Sequence, residues 1–149
     1  MNAIDRLIRS LQSSNESCRE DIEKFTAQLA KNPVYGFEWA ESAMRAAATL
    51  QVQEFALSIL TAPAEEFREG EAPITLLVKQ LQRDVMHAAR YPSRSTSQMT
   101  NLMHQETMSV KADGLRDRVM QLENAQQLSQ LDSPKGRPTP DKKKPAAKR

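Results

Sequence analysis

An all-α fold, a small bundle of roughly four to six helices with a disordered basic C-terminal tail, is predicted by three observations. Apolar residues recur at helical spacing through four stretches, 3–31, 38–61, 74–90 and 98–131. The strong helix breakers lie between them, at Asn32-Pro33, from Pro63 to Pro73 and at Tyr91-Pro92. Past Asp132 the chain turns abruptly to Pro, Lys and Arg with no large apolar side chain to offset the entropy of ordering. These shifts divide 149 residues into one helical domain, 1–132, and a tail, 133–149.

In the first stretch Ile4, Leu11, Cys18 and Phe25 fall seven apart, as do Ile8, Asn15, Ile22 and Leu29. One long helix would present these as a seam interrupted by Asn15. Against this, Ser13-Ser14-Asn15 followed by Ser17 and Glu20 resembles a stop and a new capping box, which favours two helices or a kink. The second stretch is rich in alanine (Ala40, Ala43, Ala46, Ala47, Ala48) and has apolar residues all round its axis, which predicts the central helix. An acidic loop, Glu65 to Glu71, leads to Pro73, suited to a first helical turn.

The third stretch is amphipathic. Ile74, Leu77, Val78, Leu81 and Val85 form one stripe, while Lys79, Arg83, His87 and Arg90 fall within about 80° on the opposite side. Arg94, in the serine-rich linker, extends the basic set. Such a face suits phosphate contacts, and it equally suits an ordinary solvated exterior answering the acidic loop. In the last stretch Asp113-Gly114 predicts a weak point, because an interior glycine costs about 1 kcal/mol relative to alanine. Met99, Leu102, Met103 and Met108 suit either core or an adaptable surface for a protein partner, and a seam on 3–31 or 98–131 suits a homodimer.

The charge is unevenly placed. The tail holds seven basic residues (Lys135, Arg137, Lys142, Lys143, Lys144, Lys148 and Arg149) against Asp141 alone, and the other 132 residues hold 14 basic and 18 acidic side chains. A cationic tail on an acidic body points to a polyanionic partner, although a purely solubilising extension has the same composition. Lys135-Gly136-Arg137-Pro138 resembles the core of an AT-hook, with Lys135 where that motif usually has its first arginine. The resemblance implies contact with the minor groove of A·T-rich DNA. The closing Lys142 to Arg149 run resembles a nuclear localisation signal, which implies nuclear entry in a eukaryotic host.

Enzymatic patterns are missing from the sequence. It has no glycine-rich phosphate loop, no H-E-x-x-H and no G-x-S-x-G. Cys18, His87 and His104 are dispersed, which argues against a metal site, and no catalytic residue or cofactor is expected. A single cysteine permits no intrachain disulfide and fits a reducing cytoplasm, and no apolar run approaches the ~20 residues of a membrane span. The expected function is that of a non-enzymatic accessory protein binding nucleic acid, DNA first, without regard to sequence. A protein–protein adaptor or inhibitor acting through its helical surface is the alternative.

Overall fold

A computed structural model describes residues 2–132. Four helical rods account for almost all of it, at the lower end of the range expected, and no strand occurs among the described residues. The tail residues named above lie outside this range.

Helix α1 runs from Ala3 to Lys31 without a break. Its first turn is closed by a capping box one turn from the chain start. The Asp5 N–H donates to the Asn2 side-chain oxygen at 2.8 Å and the Asn2 N–H donates back to the Asp5 carboxylate at 3.3 Å. The break into two helices expected at Ser13-Ser14-Asn15 is therefore corrected to one helix, and Ser17 is an exposed residue within it. The reason is tertiary: the sevenfold seam packs lengthwise against a second helix, and that contact outweighs three poor helix formers. Asn15 lies in this seam, 3 % exposed, with its side-chain oxygen unpartnered. An unpaired buried polar atom costs about 1–3 kcal/mol. Asn15→Leu is accordingly expected to raise stability by about 1 kcal/mol, read as a higher urea midpoint at unchanged slope.

A short 3-10 turn, Pro33–Tyr35, reverses the chain into α2, Gly36–Leu60. The two helices form an antiparallel hairpin, with Phe25 and Trp39 stacked at a centroid distance of 6.0 Å and Arg19 paired with Glu54 at 2.6 Å. Close approach is built into the turn, since a Cβ at Gly36 would lie 2.9 Å from a Leu29 methyl carbon. Ala48, Val52, Ala56 and Leu60 make the fully buried row of α2, and the two alanines let its neighbours come near. As expected, α2 is central: α1, α3 and α4 all pack on it.

The acidic loop contains a 3-10 turn, Ala64–Glu66, and then Gly70 at a φ of 82°. That left-handed conformation carries a penalty of roughly 1–2 kcal/mol for a residue with a Cβ. Gly70→Ala is expected to lower stability by about 1 kcal/mol with the helical circular dichroism unchanged. Pro73 opens α3, Pro73–Arg90, which buries Ile74, Leu77, Val78 and Leu81.

The last rod is α4, Gln98–Ser109, a π-helical stretch, Val110–Arg116, and α5, Asp117–Asp132. Ser97 caps it by accepting from the Thr100 N–H at 3.3 Å. The weak point expected at Asp113-Gly114 falls inside the π stretch, which widens the helix without ending it. Lys111 in this stretch reaches Asp84 of α3 at 2.7 Å, a half-buried pair that ties the rod to α3.

One apolar cluster joins Leu7 and Leu11 of α1, Val52 and Leu60 of α2, Ile74, Leu77, Val78 and Leu81 of α3, Leu115 and Val119. It occupies the end of the molecule where all four rods meet. Cys18 is buried beyond it, as its place in the seam predicts, and burial pushes its thiol pKa upward.

Candidate nucleic-acid interface

Because α3 buries Ile74, Leu77, Val78 and Leu81, its rotation about its axis is fixed, and residues on the other side must face outward. Lys79, Arg83, His87 and Arg90 are all exposed there. The spacing of four, four and three residues sets them in one row along the helix. Arg94 is exposed in the linker just past its C-terminal end. The structure thus sets Lys79, Arg83, His87 and Arg90 on one exposed face of α3, with Arg94 exposed in the linker that follows.

Their electrostatic situations differ. Lys79 is 67 % exposed and lies 3.7 Å from Glu71, so the acidic loop does answer the first member of the row. Among the described residues Arg83, Arg90 and Arg94 have no ion pair. His87 and Arg90 occupy the last turn of α3, where cations are favoured by the helix dipole, and the Tyr91 N–H donates to the His87 carbonyl at 2.8 Å. The Tyr91 ring leans on the His87 ring at a centroid distance of 5.0 Å and is otherwise 61 % exposed. The row therefore grades from a partly compensated lysine to arginines without an ion pair among the described residues, beside an exposed aromatic ring.

Neither protein-family models nor curated proteins nor solved structures give a match to this chain. Its site has to be argued from its own side chains.

Two features escape a reading of the sequence alone. The first is a cleft between the end of α3, the linker and α4, of about 380 Å³, lined by residues including Val85, Ala88, Pro92, Asn101, His104 and Met108. The serines of the linker signalled helix capping, and Ser97 does cap α4. Ser93 and Ser95 instead hold Asn101: its side-chain oxygen accepts from the Ser93 hydroxyl at 3.0 Å and the Ser95 N–H at 3.2 Å, and its amide donates to the Ser95 carbonyl at 2.7 Å. The second is an apolar tip at the α1–α2 turn, where Val34, Tyr35 and Phe37 are largely exposed. Phe37 and Met99 also line a common depression.

The methionines line two neighbouring hollows that share His104. Met99 and Met103 face Met44 of α2 across a shallow depression, whereas Met108 lines the cleft. Among the described residues no three His, Cys, Asp or Glu side chains gather to hold a metal, and no helix is long and apolar enough to cross a membrane.

Proposed function

We propose that this chain is a non-enzymatic accessory protein that binds nucleic acid, DNA first, through phosphate contacts made by the α3 ridge and the basic tail. The observation that carries the reading is that Arg83 and Arg90 on the outer face of α3, and Arg94 in the linker after it, are exposed with no carboxylate paired to them among the described residues. Clustered cations gain affinity by releasing counterions from the phosphate backbone, largely independently of sequence. The seven basic residues of 133–149 would add a second grip on the same polyanion. On this reading Lys79, already facing Glu71, contributes least of the ridge. It acts wherever its polyanion is, in the cytoplasm or in a eukaryotic nucleus.

The test compares full-length protein with residues 1–132 on a labelled duplex at low salt, and each with ridge arginines reversed to glutamate. Binding that weakens in both series supports the reading, and absence of binding by the full-length protein rejects it.

A second reading has its own observation. Val34, 88 % exposed, with Tyr35 and Phe37 forms an apolar tip of the kind that marks contacts with other proteins. An adaptor or inhibitor would use this tip, and the tail would be incidental. Full partner binding by residues 1–132 with no affinity for DNA would favour it.

A further inference from the structure

The cleft beside the ridge goes beyond phosphate contact, and its chemistry is unlike that of the ridge. We propose that it accepts one unpaired nucleobase, so that the preferred partner is a single strand whose phosphates lie on Arg90 and Arg94. The proposal rests on the nucleic-acid reading above and names its substrate class.

Size and lining come first. At about 380 Å³ the cleft falls within the roughly 300–1,000 Å³ of ordinary ligand sites. Among the described residues no Asp, Glu, Lys or Arg lines it, so the lining offers no fixed charge to a phosphate or a free ion. Val85, Ala88, Pro92 and Met108 offer apolar surface to the faces of a flat ring. Ala112, also at the cleft, belongs to the π-helical stretch, a distortion often found where a helix has been shaped around a ligand.

Polar groups supply the edge contacts that a heterocycle needs. His104 lines the cleft and also the depression beside Met44 and Met103, and its Nε2 atom is buried without a hydrogen-bond partner among the described residues. Asn101, at the cleft, is locked in one orientation by Ser93 and Ser95, which engage its oxygen and one of its two amide hydrogens. Gln105 adds an exposed amide at the rim. Base-reading pockets combine these elements, apolar walls with a few fixed donors and acceptors at the edge.

The surroundings match a strand in particular. Arg90 and Arg94 flank the lining residues Ala89, Pro92 and Ser93 in sequence and are exposed. Tyr91, steadied against His87, presents a ring on which a neighbouring base can stack. A duplex hides its base edges and faces from all of these groups, whereas a single strand offers them.

The experiment uses the full chain and an oligonucleotide carrying one 2-aminopurine, single-stranded or annealed to its complement, with free adenosine as a third arm. The expected result is about tenfold tighter binding of the single strand at equal salt, within the ~1–3 kcal/mol that one stacked base contributes, with a change in 2-aminopurine emission. Ala88→Leu, which fills the cleft, and His104→Phe, which removes the ring nitrogens at similar size, should each abolish this preference and leave duplex affinity unchanged. Two variants guard against one that fails to fold, as judged by circular dichroism. Weak competition by adenosine supports a site for the base held in place by the strand, and adenosine binding with no preference for strand over duplex overturns the strand as its source. Equal affinity for strand and duplex with unchanged emission overturns the proposal and leaves the phosphate reading standing. Binding of neither sinks both.

Discussion

Truncating Leu77 to alanine is expected to destabilise the domain by about 3 kcal/mol, within the roughly 2–5 kcal/mol range for a buried leucine. Leu77 is 0 % exposed and belongs to the one cluster in which all four rods meet. Its loss leaves a cavity that the other members of the cluster cannot close without moving their own helices. A domain of this size has about 5–15 kcal/mol of stability in all, so this single change removes a fifth or more of it. Urea denaturation read by circular dichroism measures the effect. A loss under about 1 kcal/mol would mean that α3 is not seated as described, and the outward aim of Arg83 and Arg90 would fall with it.

Deleting residues 133–149 is expected to weaken duplex binding at low salt by on the order of a hundredfold, more than any single body substitution. The tail carries seven basic residues, against Arg83, Arg90 and Arg94 as the cations of the edge without an ion pair among the described residues. If each tail cation meets one phosphate, its removal takes away most of the counterion release and flattens the salt dependence in proportion. Arg83→Glu with Arg90→Glu in the full-length chain should give a smaller loss, because two cations are reversed and the tail remains. Anisotropy titrations at fixed salt separate the two. Deletion without effect, alongside a large loss from the double reversal, would assign the whole interface to the ridge.

The fold was largely legible because its local signals and its packing agree. Pro33, Pro63, Pro73 and Pro92 mark the joints, and α1, α2 and α3 each begin or end within a few residues of one of them. The orientation of α3 followed from its stripe, since burying Ile74, Leu77, Val78 and Leu81 leaves Lys79, Arg83 and His87 nowhere to point but outward. Residues 13–15 misled for the opposite reason. Serine and asparagine there signal a break locally, but α2 lies along the seam and holds the helix together, with Asn15 buried in it. At Asp113-Gly114 the weakness was readable and its form was not, because whether a helix bends, breaks or widens depends on what lies beside it. Here Lys111 is anchored to Asp84 and Leu115 to the core on either side of the glycine.

The site was legible only in its charged half. A row of cations at intervals of three and four residues can be read from spacing. The cleft cannot, because Ala88, Pro92, Asn101, His104 and Met108 come together only once the linker folds α4 back beside α3. The sequence offers the acidic loop as an answer to the row, but it does not reveal that Glu71 reaches Lys79 alone while Arg83 and Arg90 have no ion pair among the described residues.

The salt dependence of duplex affinity for the full-length chain tests the central claim most directly. With six or more phosphates engaged, affinity should fall by about a thousandfold or more between roughly 50 and 200 mM salt, linearly on logarithmic axes. Affinity that does not change over that interval, or no binding at the lower salt, would contradict it.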